Sequence, residues 1–331
     1  MKPKSIASLS LDLDNQWSYM KTHGDRGWES FPSYLSVFVP RALDFLRERD
    51  LHITFFIVGQ DAALDKNSES LRALAEAGHE IGNHSFHHEP WLHLYTDTQI
   101  ADELARAEEQ IERVTGHCPR GFRGPGFSVS EAVLQTLRRR GYVYDASIFP
   151  TYLGPLARAY YFMTAELTPE ERESRRLLFG RFSEGFRPLK PWKWNLDGGE
   201  MLEIPVTTLP FLKVPIHLSY ILYLSGYSPA LARTYFRNAL RLCRMTGVQP
   251  SILLHPLDFL GGDDVAELSF FPGMQLSGAR KLALLDELMG ELSASFQVVT
   301  MMRHAEIIRG SDELRFTQAT DLQYGGAGAA R

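Results

Sequence analysis

From Ile6 to Asp145 the chain swings between short apolar runs and longer amphipathic stretches, a rhythm that admits few folds. Residues 6–14 (IASLSLDLD) alternate as a strand does, with Asp12 and Asp14 on one face at its end. Val37, Val39, Leu43, Phe45 and Leu46 recur at helical spacing and predict a helix within 31–49. Residues 52–59 form a β-branched and aromatic run, 68–77 a helix with Gly78 as its C-cap, and 80–83 another strand. A helix over 96–115 is capped by Thr96 or Asp97, a second begins at Ser130 and runs to about Arg140, and 142–145 is a short strand. Strands and helices in strict alternation predict a parallel sheet or barrel clothed by helices.

The rhythm fails between 147 and 200, which reads as an insertion after the fifth strand, with a helix-like piece at 170–179. It resumes with a strand at 201–206, a helix from Pro229 to about Met245, a strand at 250–256 that ends on His255, a helix at 281–292 and a strand at 296–300. The expected organisation is one domain over 1–310 and a flexible tail over 311–331 that is Gly/Ala-rich from Tyr324.

With 331 residues, 44% of them hydrophobic, the chain can bury a large core. A net charge of −5 and the lack of a long basic run exclude an ordinary nucleic-acid binder. Two distant cysteines, Cys118 and Cys243, make no disulfide framework and point to a reducing compartment. The basic start is followed by no apolar core or cleavage site, so no signal peptide is expected and the expected location is cytoplasmic, peripheral at the inner face of the membrane. The apolar stretch 206–227 is interrupted by Pro210, Lys213, Pro215 and His217, and its uninterrupted runs fall short of the ~20 residues that span a bilayer.

Chemistry-bearing residues gather at strand ends. Five of the eleven histidines lie between His79 and His93, where a strand gives way to a loop broken by Pro90. His84 and His88 are four apart; one helical turn after His84 would aim both rings at a single ion. Asp12 and Asp14 need a cation or separate partners to coexist, unless they only shape a turn continued by Asn15. Arg123 and His255 end two further strands. Alone, each residue has an ordinary role as a turn former, surface ion pair or satisfied histidine. Together they sit where parallel strands converge on one face of a barrel. His87 and His93 are expected at the rim or behind the site, and His79 in a structural role; Trp91, Phe127, Trp192 and Trp194 are candidates for lining a sugar cleft.

These residues resemble, in order, the motifs of the polysaccharide deacetylases (carbohydrate esterase family 4, the NodB-homology fold). Ser10-Leu11-Asp12-Leu13-Asp14 resembles the first motif in its D-x-D form, His84-Ser85-Phe86-His87-His88 the H-[ST]-x-x-H motif, and Leu253-Leu254-His255 the fifth. Arg123-Gly124-Pro125-Gly126 is similar to R-x-P-x-G, with Gly126 where an aromatic is common, and Tyr144-Asp145-Ala146-Ser147 falls at the fourth motif without its usual tryptophan. The resemblance spans roughly 5–305; the 147–200 insertion and the apolar 209–227 segment depart from it.

The resemblance implies a distorted (β/α)7-type barrel and a divalent metal ion, zinc first and cobalt, nickel, manganese or iron(II) after it, held by Asp14, His84 and His88. Asp12 would be general base and His255 general acid, with Arg123 orienting Asp12 and Asp145, or else Asp258, orienting His255. The oxyanion would lean on the metal and on the backbone N–H of Phe86 or a neighbour, and Phe86, Trp91, Pro125, Gly126 and Phe127 would face substrate. The implied reaction removes an N-acyl group, acetyl first, from an amino sugar. An O-deacetylase, a hydrolase of a small non-sugar amide (a ureide or cyclic imide) and a non-catalytic carbohydrate-binding barrel are the alternatives. Partners are an N-acylated sugar or glycolipid and no nucleic acid. The apolar segment 209–227 would make a peripheral membrane contact, and Arg172, Arg175, Arg176, Arg181, Arg187, Lys190 and Lys193 would meet phosphate or anionic headgroups.

Overall fold

The strand Ile6–Asp12 (β1) is buried along its whole length, and the other strands assemble around it. The structure, a computed structural model, describes residues 4–156, 159, 163, 181–310 and 314–322. The helix-like piece expected at 170–179, the basic residues Arg172, Arg175 and Arg176, and the Gly/Ala-rich end from Tyr324 lie outside the described residues. In chain order the further strands are β2 (Thr54–Ile57), β3 (Glu80–Asn83), β4 (Gly121–Phe122), β5 (Tyr144–Asp145), β6 (Trp192–Leu196), β7 (Gly199–Glu203), β8 (Ser251–Leu254), β9 (Gln297–Val299) and β10 (Arg315–Gln318). The main helices are α1 (Gln16–His23), α2 (Leu35–Arg47), α3 (Gly59–Ala63), α4 (Ser68–Glu76), α5 (Asp97–Thr115), α6 (Glu131–Arg139), α7 (Leu218–Tyr227), α8 (Pro229–Thr246), α9 (Gly278–Ser295) and α10 (Met301–Arg309).

β1 pairs in parallel with β2, β8 and β9, and from β2 the parallel order runs through β3, β4 and β5 to β7. Past β7 the chain continues between β5 and β8. Ile204 N–H donates to Asp145 O and Thr207 N–H to Ser251 O, both at 2.9 Å, and Thr207 Oγ1 accepts from Ser251 N at 2.8 Å. Those bonds join the two ends of the parallel array into the distorted (β/α)7-type ring β1-β2-β3-β4-β5-β7-β8. Because the ring strands are parallel, their C-terminal ends all open on one face.

The helices follow the amphipathic logic of the sequence with local changes. α5 carries a capping box, with Thr96 and Gln99 satisfying each other's backbone N–H groups, and ends at the left-handed Gly116. α2 begins at Leu35 rather than Phe31 and buries Leu35, Phe38, Val39, Ala42, Phe45 and Leu46. Val37, assigned by spacing to the buried stripe, faces solvent because the helix is phased one residue away.

The insertion contributes β6, antiparallel to β7 and outside the ring. That leaves β6 with an open edge, and β10 fills it in parallel, with Ala319 and Leu322 buried beside Trp192 and Trp194. The expectation of a flexible tail from 311 is therefore corrected in part: Arg315–Gln318 are a strand of the sheet, and the 3-10 turn Ala319–Leu322 follows it. The pairing partner lies more than a hundred residues upstream, so no local pattern signals it. Trp192 and Trp194 are fully buried in this cluster and line no cleft. The apolar 209–227 segment is mostly core, since Leu209, Ile216, Leu218, Ile221 and Leu222 pack into the main cluster. Among the described basic residues of the insertion, Arg187 pairs with Glu184 and Lys193 with Glu200, each at 2.6 Å, which weakens their reading as an anion-binding patch. Among the described residues no helix is long and apolar enough to cross a membrane.

On α10, His304 is fully buried, with Nδ1 2.9 Å from Ser8 Oγ on β1 and Nε2 3.3 Å from Gln249 Oε1. Burial pushes its pKa down from 6.5 to about 4. The unfolded chain therefore takes up this proton before the folded one does. The stabilisation is whole above the unfolded pKa and is lost as pH falls from about 6.5 towards 4, on the order of 3 kcal/mol. Urea titrations across that window should show falling stability, and His304→Gln should flatten the slope; an unchanged slope would remove His304 as its source.

Candidate metal centre and active site

β3 delivers the histidine loop to the open face, and the loop's backbone is fully occupied with holding its own shape. His84 N–H donates to Ile57 O at 2.9 Å and Ser85 N–H to Asn83 Oδ1 at 2.8 Å. Phe86 N–H and His87 N–H both donate to Glu103 Oε1 from α5, at 3.0 and 2.6 Å, and His88 N–H to Ser85 Oγ at 3.2 Å. The carbonyls of Ser85 and Phe86 accept from Gly59 and Gln60 at the start of α3. No helical turn follows His84. The chain bends instead, with Ser85 and His88 in the left-handed region at φ 62° and 55°, a backbone strain that the surrounding hydrogen bonds must hold. The bend, not a helix, aims both rings at Asp14.

His88 Nε2 lies 2.9 Å and His84 Nε2 3.3 Å from Asp14 Oδ1. Ligand atoms of all three residues fall within 4.8 Å of one another. The other ring nitrogen of His84, Nδ1, sits 2.6 Å from the Arg123 carbonyl, so Nδ1 carries the hydrogen and Nε2 presents its lone pair to the cluster. Burial alone would raise the Asp14 carboxyl, but the His88 and His84 rings hold it well below the usual range. Burial would lower the His84 pKa, and Asp12 and Asp14 outweigh it and raise it. Two imidazole nitrogens and a carboxylate oxygen, with one ring already locked in the ligating tautomer, suit a divalent ion and leave coordination positions open. Tyr34 reinforces the arrangement through a hydrogen bond from its hydroxyl to the Asp14 carbonyl.

Asp12 ends β1 two residues before Asp14. Arg123, fully buried just past β4, donates to Asp12 Oδ1 at 2.7 Å, to Ser10 Oγ at 2.9 Å and, through Nε, to Ala146 O at 3.0 Å, with its guanidinium over the Phe56 ring. His255 follows the last β1–β8 register pair, Leu11 with Leu254, which sets it level with Asp12. Its Nδ1 is 3.1 Å from Ser219 Oγ on α7, and its backbone N–H donates to Asp258 Oδ2 at 2.8 Å.

Asp145 does not orient His255. It accepts from Ser147 Oγ at 2.7 Å and bonds the buried Glu203, whose carboxyl is pushed well above its usual range by burial and by Asp145 itself. Asp258, the other expected orienter, lies beside His255 and accepts its backbone N–H. The Phe86 N–H donates to Glu103, and every amide from His84 to His88 is likewise taken, so none is left as an oxyanion donor. The Phe86 side chain is core, packed on Gly59 beneath the Arg106 guanidinium, and faces no substrate.

Trp91 is half-buried and bonds Tyr95. Pro125 is buried, while Gly126, at φ 57°, is exposed over Pro90. Gly124 is required by close approach, since a Cβ there would meet Ser128 O at 2.0 Å. Phe127 stacks on Phe149 at 4.8 Å, Phe149 meets His217 edge-on at 5.6 Å, and His217 is 6.4 Å from His255, so these rings form one wall. His87 pairs with Glu103 at 2.6 Å, His93 meets Ser128 Oγ at 2.7 Å, and His79 accepts from Ile53 N–H inside the fold.

Glu103, Ser219, His217 and Tyr34 were not legible as site residues. Glu103 reads as one charge of an exposed helix, and Ser219 and His217 lie in a stretch dominated by its hydrophobicity.

Residues 24–144 match the family model for polysaccharide deacetylase; His84, His88 and Arg123 fall inside the match and Asp12, Asp14 and His255 outside it. A Helicobacter pylori peptidoglycan deacetylase is 28% identical over 155 residues, 45% of this chain and 51% of that protein. A Bacillus subtilis peptidoglycan-N-acetylmuramic acid deacetylase is 36% identical over 110 residues, 33% of this chain and 41% of that protein. The chain thus spans about half or less of the length of these curated relatives. A solved Mycobacterium smegmatis protein, provisionally described as a polysaccharide deacetylase, shares the fold with a TM-score of 0.64 and 23% identity, over 96% of this chain and 94% of that one.

Arg123→Ala leaves Asp12 buried without its partner and should cost about 3–5 kcal/mol in denaturant unfolding. Arg123→Lys keeps a charge but cannot reproduce the forked contacts, so it should fall between. A loss near zero for the alanine variant would contradict the central place given to this pair.

Proposed function

We propose that this chain, whose residues 24–144 match the family model for polysaccharide deacetylase, is a metal-dependent hydrolase that removes an N-acyl group, acetyl first, from an amino sugar. The carrying observation is the convergence of Asp14, His84 and His88 on one point, beside an Arg123-paired Asp12 and across from His255. Zinc is the expected occupant, since two imidazoles and one carboxylate form a common catalytic zinc set. When bound, a divalent ion supplies Lewis-acid activation of water and polarisation of the amide carbonyl. Asp12, held by Arg123, takes a proton as the water oxygen bonds to the acyl carbon. His255 gives a proton to the nitrogen as the carbon–nitrogen bond breaks, leaving a free amine and a carboxylate. The ring wall of Phe127, Phe149 and His217 supplies an apolar face for a sugar.

A lipid-linked or glycolipid substrate met at a membrane surface is part of the proposal. It draws support from the tip of the 209–214 loop, where Phe211 is 75% and Leu212 66% exposed. The loop is pinned by Leu209 N–H to Val214 O and Lys213 N–H to Leu209 O, both at 2.8 Å, so the two side chains are held outward. Each apolar side chain is worth about 1.5–3 kcal/mol when buried. Phe211→Asp with Leu212→Asp should therefore weaken co-sedimentation with anionic phospholipid vesicles by about tenfold or more. Unchanged partitioning would remove the membrane contact.

The reading as a whole is tested by metal analysis of the zinc-supplied protein together with acetate release from penta-N-acetylchitopentaose. About one ion per chain is expected, lost with the activity in His84→Ala with His88→Ala. A wild-type protein that takes up no ion would overturn the assignment.

A further inference from the structure

Close to the metal centre lies a buried carboxylate that the proposed reaction does not use. We propose that Asp61 is a positioning residue for the ion: it ties the segment after Asp14 to the histidine loop and so sets the approach of Asp14 and His88, without being a ligand itself. This rests on Asp14, His84 and His88 being the ligands of the function proposed above.

Asp61 is fully buried in α3, the short helix that follows β2. The first two amides of α3 are spent on the histidine loop, Gly59 N–H on Ser85 O at 2.8 Å and Gln60 N–H on Phe86 O at 2.9 Å. Gly59 also lies so close to α5 that a Cβ would meet the Ala107 Cα at 2.8 Å. α3 is thus fixed to the loop that carries His84 and His88. From there, Asp61 Oδ1 accepts from Asn15 Nδ2 at 2.7 Å, from Trp17 Nε1 at 3.0 Å and from Asn67 Nδ2 at 3.1 Å. Asn15 directly follows Asp14. Trp17 is fully buried, with its ring edge-on to His88 and the centroids 6.4 Å apart.

The donors and acceptors fit together in one way. Asn15 Oδ1 accepts two backbone N–H groups, of Gln16 at 2.8 Å and Tyr34 at 3.2 Å, so its Nδ2 faces Asp61 and Ser33. Asn67 Nδ2 also donates to the Asp61 carbonyl at 3.1 Å, which can only accept. Asn67 Oδ1 then takes the Ser33 hydroxyl hydrogen, and Ser33 Oγ receives Asn15 Nδ2, both at 2.9 Å. Asp61, Asn15, Ser33 and Asn67 close a ring of hydrogen bonds. An indole N–H only donates, so the buried Trp17 needs an acceptor, and Asp61 supplies it. Tyr34, held through its N–H by Asn15, donates its hydroxyl to the Asp14 carbonyl. Asp14 is therefore held at its own carbonyl and at the next residue. Asp61 Oδ2 has no partner among the described residues, so the three side-chain contacts all pass through Oδ1.

The test is the zinc affinity of the full chain, measured by competition with a chromophoric chelator, beside urea unfolding of the metal-free protein. Asp61→Ala removes the shared acceptor and should weaken zinc binding about 10–100-fold. Asp61→Asn keeps an oxygen at the Oδ1 position and should restore binding to within a few-fold of wild type. Leu137→Ala, in the separate cluster with Trp192 and Trp194, should lose stability and leave zinc affinity unchanged. Wild-type affinity in Asp61→Ala would overturn the inference, and so would a loss that Leu137→Ala reproduces. Should Asp61→Ala fail to fold, Trp17→Phe decides, since it removes the indole N–H and keeps a ring beside His88: a several-fold loss of affinity is expected, and no loss would overturn the inference. A wild-type chain that takes up no zinc would instead overturn the metal assignment itself, and the role of Asp61 with it.

Discussion

Arg123 ties the site together more than any residue with a reacting atom does. Its guanidinium holds Asp12 and Ser10 on β1 and reaches Ala146 past β5, while its own carbonyl fixes the ring of His84 past β3. One residue thus fixes the Asp12 carboxylate, the tautomer of His84 and the spacing of three strands. The guanidinium is fully buried; Nε and one terminal nitrogen are hydrogen-bonded and Asp12 balances the charge, while the other terminal nitrogen has no hydrogen-bond partner among the described residues. The Phe56 face beneath it adds a cation–π contact in a dry setting.

The histidine loop shows the same economy in neutral groups. Every amide from His84 to His88 has an acceptor, and Glu103 takes two of them along with the His87 ring. Burial would raise the Glu103 carboxyl, yet His87 and those amides bring it below its usual range. The loop is therefore rigid without being helical, and the strain at Ser85 and His88 is held by these bonds. Rigid ligands are what a metal centre needs.

Around this centre the additions to the barrel serve packing. β6 and β10 extend the sheet and bury two tryptophans, and α7 fills the main core while bringing Ser219 and His217 to the rim. The hydrophobicity of 209–227, which read as a surface feature, is largely interior; the exposed part is the loop tip at Phe211 and Leu212.

Periodicity and strand-end chemistry were legible in the sequence because both are local. A two-residue alternation that ends in Asp12 and Asp14, a β3 run that ends in His84, and β8 ending at His255 declare themselves within a dozen residues. Parallel order follows from the alternation of strands with helices, and it implies that these ends share a face. What the tertiary structure decided is whatever depends on partners far along the chain. Glu103 reaches back to the histidine loop, Ser219 and not Asp145 meets His255, and β10 returns to cover β6. Hydrogen-bond partners across such separations depend on sub-ångström placement of whole elements, to which residue type and spacing are blind. The chain's local patterns therefore determined which residues could act, and the closure of the ring decided which of them touch.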